Sequence, residues 1–475
     1  MNWSDATIMG VLYLAYWIVV IFIIIRIILR NRDAVKTLAW IMVFIFIPFL
    51  GLLLYFFFGR DTRKKRLAGK RLMSQIKQRS TLGINSDAKA LIQSEYQSLA
   101  TYFENSSSAP LLTVDEVEVL CDTTLFANRL FEIISSAEQH IHLQFYIFED
   151  DEFGSRLRDA LVSKAKQGVE VRLIYDSVGC WKVSKEFFES MRCAGVYVES
   201  FLKVTFPLLS NRFNYRNHRK MIVVDGKVGM IGGCNIADRY IKGVNGMEWR
   251  DTMLLLRGMA VNGLQASFLV DWYFANRTML SGKRYFPVTD SCSNSFAQVV
   301  TSNPVGDVRA IVGGYIKMLS QAKGYIYLQT PYFMPDELFL QSLKNASISG
   351  VDVRLMIPER SDSKIADYAT MSYLGNLLNS GVKIYLYGGG MLHCKTVVCD
   401  DYLSSVGSTN LDFRSFFYNF EVSAFVYDKS VALEVKERFM DDLKKCRLLT
   451  TNEYRQRSFF KRCAESFIKL FSPLL

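Results

Sequence analysis

Histidine is scarce in this chain, four residues in 475. The nine cysteines are irregularly placed, at Cys121, Cys180, Cys193, Cys234, Cys292, Cys394, Cys399, Cys446 and Cys463. They lack metal-type pairing, and their odd number argues against a complete disulfide framework. Reduced, buried thiols are expected, with Cys394 and Cys399 as strand filler rather than nucleophiles. Net charge is also missing from most of the chain. The whole protein carries +11, and residues 26 to 79 alone, with thirteen Lys or Arg against two Asp, supply the same +11. The remainder sums to zero, which argues against a nuclease with a basic track for a phosphate backbone. No nucleic-acid partner is expected.

What the chain has in excess is apolar sequence, half of all residues, and the surplus lies at the N-terminus. Thr7 to Ile25 and Thr37 to Phe58 are uncharged runs of 19 and 22 residues, each about long enough to cross a bilayer core of roughly 30 Å as a helix. A cleavable signal peptide is the competing reading of the first run. Its basic residues follow it, however, and no small-residue cleavage site precedes the second run. A two-helix transmembrane hairpin over residues 1–60 is therefore expected. The cluster Arg60, Arg63, Lys64, Lys65, Arg66, Lys70, Arg71, Lys77 and Arg79 outweighs Arg26, Arg30, Arg32 and Lys36 in the hairpin loop. The positive-inside rule then places both termini in the cytoplasm, and anionic-lipid attraction is a modest further role for these charges. A basic, polar and Ser-rich linker is expected over 61–110.

Beyond it a pattern occurs twice. Ile141 to Phe148, a helical stretch through Leu157 to Ala165, and Gly168 to Ile174 form one copy; Tyr325 to Leu328, a helix near Leu338 to Leu343, and Gly350 to Met356 form the other. A third pair follows at Ala194 to Val198 and Ser380 to Ile384. Strands alternating with helices predict two tandem α/β domains, 111–285 and 286–475, each a largely parallel sheet covered by helices.

Each copy then reaches the same frame: His218-x-Lys220-x4-Asp225-x6-Gly232-x2-Asn235 and His393-x-Lys395-x4-Asp400-x6-Gly407-x2-Asn410. β-Branched residues predict strands over 217–224 and 392–399, so His218 and Lys220 project together, as do His393 and Lys395. Asp225-Gly226 is a strong hairpin signal and Asp400-Asp401 a weaker one. Two halves joined about a pseudo-twofold axis would surround one phosphate with two imidazoles, two ammoniums and the amides of Asn235 and Asn410. A neutral imidazole can attack phosphorus, and a protonated one can donate to a leaving alkoxide. The lysines would stabilise charge on the equatorial oxygens, so no metal or other cofactor is required. Asp225 and Asp400 complete the candidate catalytic set, although turn geometry alone accounts for them. Small residues at Gly232, Gly233, Gly407 and Ser408 would let the backbone pass close to a bound group. Asp251 and Glu421, each opening an apolar strand, would be costly there without partners and are expected to orient the imidazoles. His140 and His142 alternate with apolar residues and are expected to be structural.

These paired motifs resemble the phospholipase D superfamily. With Pro48 to Gly51, Tyr55 to Arg60, Asn410 to Ser415, Asn419 to Glu421 and Phe471 to Leu475, the chain as a whole is similar to the superfamily's bacterial cardiolipin synthase branch. The resemblance implies transfer of a phosphatidyl group between two phosphatidylglycerol molecules, giving cardiolipin and glycerol. It implies a covalent phosphatidyl-histidine on His218, with His393 as acid and base. It also implies a crossed arrangement, Glu421 orienting His218 and Asp251 orienting His393. The implied partners are phosphatidylglycerol, other anionic lipids and the bilayer, and the implied location is the bacterial inner membrane. The same residues would serve a hydrolytic phospholipase D, or transfer to another acceptor such as phosphatidylethanolamine; a non-enzymatic membrane scaffold would have lost at least one His or Lys. Finally, Arg455 to Leu475 mixes basic and large apolar residues and suits either an interfacial amphipathic helix or packing on the protein's own core.

Overall fold

A computed structural model of the chain describes residues 5–29, 34–55, 75–76, 79–80, 88–203, 214–244, 246–287, 293–306 and 308–472. Cys292 and most of the expected basic cluster beyond residue 60 lie outside the described residues. Described residues up to 55 belong to one compact unit and those from 75 onward to a second.

In the first unit, the helix Asp5–Ile28 contains a 21-residue apolar stretch, Ile8–Ile28, about 31 Å long at 1.5 Å per residue. It is long and apolar enough to cross a membrane. The second expected span is interrupted. The helix Ala34–Phe46 stops, Phe49 takes a positive φ of 64°, and a separate turn of helix follows at Leu50–Leu54. Pro48 is the physical reason, because it has no N–H to give the carbonyl four residues back. That carbonyl, of Phe44, accepts instead from the hydroxyl of Tyr16 on the first helix at 2.5 Å. Among the described residues only one helix therefore has the length of a full span, and the second is a shorter apolar element packed on it through Phe44 and Tyr55.

The second unit contains two sheets with one strand order. In the first, Glu116–Leu120, Met253–Arg257, Val228–Gly232, Met221–Val224, His140–Phe145, Glu170–Asp176 and Tyr197–Phe201 lie side by side. In the second the equivalent order is Phe296–Ser302, Glu421–Tyr427, Leu403–Gly407, Thr396–Cys399, Tyr325–Gln329, Asp352–Pro358 and Lys383–Tyr387. Leu112–Thr113 and Cys446–Leu448 add to the edges of the second sheet. The expectation of largely parallel sheets is corrected: only the last three strands in each of these orders are parallel to one another. The rest are antiparallel, because hairpins rather than helices connect the motif strands. The four repeated glycines Gly168, Gly195, Gly350 and Gly381 end the crossover helices with φ of 89°, 92°, 94° and 88°, the left-handed position that closes a helix C-terminus.

The two sheets face each other across a shared core that includes Val223, Ile231 and Leu254 from one and Val398, Val406 and Val422 from the other. Outer cores under the crossover helices complete each half. Two expectations about boundaries change. Residues 97–107, read as linker, form a helix whose Leu99, Ala100 and Phe103 are buried in the outer core of the second half. Leu112–Thr113 likewise pairs with Phe296–Ala297 rather than with the first sheet. The polar, serine-rich exterior of this helix hides a three-residue apolar stripe.

The motif hairpins turn through Asp225-Gly226, with φ of 54° and 66°, and through Asp400-Asp401, with φ of 48° and 54°. Both pairs have the positive φ that a type I′ turn requires. The carboxylate of Asp225 accepts from the backbone N–H groups of Glu138, Gln139 and His140 at 2.7 to 2.8 Å. Asp400 does the same for Lys323, Gly324 and Tyr325 at 2.7 to 2.9 Å. Each Asp thus pins its hairpin to the start of the adjacent central strand. Hydrogen bonds to a charged group contribute about 1.5–3 kcal/mol each, and Ala tolerates the left-handed turn worse than Asn. Asp225→Ala is expected to lower the melting temperature of the detergent-solubilised chain clearly more than Asp225→Asn. Equal melting of the two variants and the parent would show that these bonds carry no stability.

Candidate active site

The extended motif segments leave their own sheets before the histidines. Regular strand begins only at Met221 and Thr396, after the lysines, not at Asn217 or Leu392 as the β-branched pattern suggests. The histidine segments pair instead with the opposite half. The N–H of His218 donates to Phe420 O at 2.9 Å and that of His393 to Arg250 O at 2.7 Å. Asn217 bridges Phe420, and Met391–Leu392 pairs in parallel with Trp249–Arg250. Each histidine is thereby clamped beside the residue that precedes a carboxylate: Phe420 before Glu421, and Arg250 before Asp251.

The side chains follow the backbone. Nδ1 of His218 lies 3.0 and 3.1 Å from the two carboxylate oxygens of Glu421, and Nδ1 of His393 lies 2.6 Å from Asp251 Oδ2. A carboxylate can only accept, so the proton sits on Nδ1 of each ring and the lone pair on Nε2. Glu421 is further held by Ser408 Oγ and by Asn419 Nδ2 at 3.1 Å. Asp251 accepts from the N–H of Thr252 at 2.7 Å. The expected reason for small residues at 232–233 and 407–408 changes accordingly. A Cβ at Gly233 would stand 2.0 Å from Asp251 Oδ1, and one at Gly407 2.3 Å from Ser423 Oγ. The space they leave is filled by the carboxylate-bearing strand, not by a ligand.

His218 and His393 both line one cavity of about 310 Å³, together with Asn235 and Asn410. Lys220 and Lys395 lie behind them, 0% and 2% exposed. The Nζ of Lys220 folds back on the carbonyl of His218 at 2.6 Å, and Lys395 does the same to His393 with its Nζ 2.9 Å from the ring nitrogen. The ammoniums therefore form a charged floor under the cavity rather than part of its lining. Asp225 and Asp400 are not in the lining either. They follow the motif strands, at the opposite end from the histidines, and belong to the turns described above. The amides are partly engaged: Asn235 donates to Tyr240 Oη at 2.7 Å and accepts from the N–H of Ile147, and Asn410 donates to Asp412 at 3.1 Å. His140 and His142 bond Gln265 within the first half and stand apart from the cavity lining.

Burial dominates the electrostatics. It holds both imidazoles below their ordinary value near 6.5, His218 despite the pull of Glu421 and His393 down to about 4 with Lys395 adding to the effect. Burial also lowers Lys395, and it brings Lys220 to about 7 against the attraction of Glu421. For Asp251 burial acts upward, but Lys395 and His393 outweigh it; for Glu421 it is likewise outweighed by His218 and Lys220. Both carboxyls therefore stay ionised below the usual range. The resting site holds two neutral imidazoles, each with a carboxylate behind it and a free Nε2 in front, the state a nitrogen nucleophile needs.

Several lining residues escaped the motif reading. Arg216 is 2% exposed, lines the cavity and bonds Asp176 at 3.0 Å. Its place two residues before His218 in an extended segment was a usable signal, because side chains two apart share a side. Arg414, Tyr146, Tyr240 and Asp412 also line the cavity; Asp412 and Arg414 share the segment that follows Asn410, while no periodicity marks Tyr146 and Tyr240, which come from two other segments. Among the described residues no cluster of His, Cys, Asp and Glu could hold a metal ion.

Comparison with known proteins accords with this geometry. The family described as cardiolipin synthase, PLD-like domain, matches residues 130–252 and again 315–443. The phospholipase D-nuclease N-terminal family matches 15–60. The major cardiolipin synthase ClsA of Bacillus subtilis (strain 168) is 40% identical, over 96% of this chain and 97% of that protein. Cardiolipin synthases of Clostridium perfringens (strain SM101) and Listeria monocytogenes serotype 4a are 39% and 38% identical, over 94% and 97% of this chain and 96% and 99% of theirs. In fold, the chain is similar to the phosphatidylserine synthase of Haemophilus influenzae, with a TM-score of 0.61 at 14% identity, covering 79% of this chain and 98% of that one. The repeated match on both halves, and relatives aligned from end to end, place this chain in the cardiolipin synthase family of phospholipase D-like proteins.

Proposed function

We propose that this protein is a membrane-bound phosphatidyltransferase that makes cardiolipin and glycerol from two molecules of phosphatidylglycerol. The observation that carries the proposal is the single cavity into which both motif histidines project, each backed by a carboxylate from the opposite half. The relatives named cardiolipin synthase supply the substrate. The N-terminal apolar helix supports a membrane location. The basic residues that follow the second apolar segment support a cytoplasmic site, by the positive-inside rule.

The chemistry runs in two displacements. Nε2 of His218 attacks phosphorus, the N–P bond forms, and the bond to the glycerol headgroup oxygen breaks. His393 gives its Nε2 proton to that oxygen, and Asp251 stabilises the imidazolium from behind. A resting value near 4 means that His393 is protonated only once the phosphodiester anion offsets Lys220 and Lys395. The hydroxyl of a second phosphatidylglycerol then loses its proton to His393, attacks phosphorus, and releases Nε2 of His218. Lys220 and Lys395 stabilise the charge that builds on the phosphoryl oxygens throughout. Asn235 and Asn410, whose amide groups line the cavity, hold those oxygens in place. A cavity of about 310 Å³, at the lower end of the roughly 300–1,000 Å³ range of ligand sites, has room for a headgroup, and the relatives named cardiolipin synthase support phosphatidylglycerol rather than water as the acceptor.

The assignment of roles is testable with a phosphatidyl ester whose leaving group is p-nitrophenolate, which departs without an acid. His393→Ala is expected to release a stoichiometric burst of p-nitrophenolate and stall as the covalent adduct, whereas His218→Ala releases none. A burst from His218→Ala only would interchange the roles. With labelled phosphatidylglycerol in membranes, either variant is expected to lose roughly 10³-fold in turnover, and the parent to yield cardiolipin and glycerol; phosphatidic acid as the sole lipid product would establish hydrolysis instead.

The pH dependence follows from Lys220. Its ammonium, held near 7 in the free protein, loses its proton as pH rises through that value, so kcat/KM, which already falls above about pH 4 as the acid His393 is deprotonated in the free protein, is expected to fall more steeply above about pH 7. Bound phosphate favours the charged lysine, so the corresponding limb of kcat lies higher. A kcat/KM whose slope against pH does not change between pH 5 and 9 would rule out this role for Lys220.

A further inference from the structure

The C-terminal helix Phe459–Lys469 is packed inside out for a protein surface in water. Its inward face presents Ala464, Glu465 and Ile468, and Glu465 is 2% exposed, paired with Arg457. Its outward face presents Phe459, Phe460, Phe467 and Leu470, which are 71%, 83%, 63% and 73% exposed. A helix with a strong apolar stripe ordinarily turns that stripe to the core. Here the stripe faces away and the only acid of the segment is buried. Lys461, Arg462 and Lys469 fringe the apolar face, so that 459–471 exposes three cations and no anion.

The helix is also coupled to the catalytic cavity. It packs on the helix Lys364–Asn379, and Ile468 packs against the cluster of Met334, Ala366 and Ala369, of which Met334 and Ala366 belong to the cavity wall. Ile365, beside Ala366, is itself 53% exposed, which extends the apolar belt toward the rim.

We propose that the outward face of this helix docks in the interface of an anionic bilayer and sets the cavity wall at the lipid surface, so that a headgroup enters while its acyl chains stay in the membrane. The proposal rests in part on the phosphatidyltransferase reading. An apolar face fringed with Lys and Arg is complementary to anionic lipid. A symmetric contact with a second copy would instead set Lys461, Arg462 and Lys469 against their own kind.

The test uses the full chain in vesicles of phosphatidylglycerol and phosphatidylethanolamine, with the photoreactive p-benzoylphenylalanine in place of Phe460 or Phe467. Lipid adducts at both positions are expected. Chain-to-chain adducts, or none, would overturn the proposal. In parallel, the double variant Phe460→Glu with Phe467→Glu is expected to lose at least tenfold in turnover of vesicle phosphatidylglycerol while staying within twofold on a short-chain, monomeric one. An equal loss on both substrates would make the helix merely structural and sink the proposal. A parent chain that forms lipid adducts but no cardiolipin would remove the synthase reading and leave the docking face standing.

Discussion

Everything in the catalytic centre depends on an exchange of main-chain hydrogen bonds between the two halves. His218 is tied through its N–H to Phe420, and His393 through its own to Arg250. Because a carboxylate follows each of these acceptors in sequence, the backbone exchange itself determines which acid stands behind which imidazole. The side-chain bonds at 2.6 to 3.1 Å are then the completion of a register already fixed. Arginines secure that register from outside the cavity: Arg219 donates to the carbonyl of Glu421 and Arg250 to that of Asp251. Arg219 and Arg250 are in turn neutralised by Asp271 and Asp442. Buried charge is expensive alone and tolerable when paired and hydrogen-bonded, as Arg219 and Arg250 are here.

The two halves are alike in plan and differ in detail, and the differences fall on the carboxylates. Where the first motif has Gly233, whose missing side chain admits Asp251, the second has Ser408, whose hydroxyl bonds Glu421. The shorter acid comes with the open space and the longer one with an additional donor. His393 sits among the rings of Tyr240 and Trp249, and His218 beside Tyr146. A pseudo-symmetric scaffold thus gives two chemically similar imidazoles unequal surroundings, and unequal surroundings are how one site can hold two like groups in different roles.

Much of this was legible in the sequence. Repeated spacing carried the histidines and lysines, and the isolated charges at the heads of apolar strands carried Asp251 and Glu421. Strand direction was not legible, since an apolar strand reads the same whichever way its neighbour runs. The histidine segments looked like continuations of their strands because β-branched composition marks extended backbone, not its hydrogen-bonding partner. The break at Pro48 was written in the chain, but an apolar run was long enough to outweigh it. The orientation of Phe459–Lys469 could not be read at all: periodicity defines a stripe without saying which way it faces.

The exchanged pairing also has a genetic consequence. A lesion at Asp251 lies in the first half of the chain and strikes the histidine of the second; one at Glu421 lies in the second half and strikes the histidine of the first. Under the roles proposed for the two histidines, damage therefore segregates by catalytic function and not by domain. Neither half is an autonomous enzyme that the other merely duplicates, and an isolated half could assemble a complete histidine-carboxylate pair only by taking its partner from another copy of the fold.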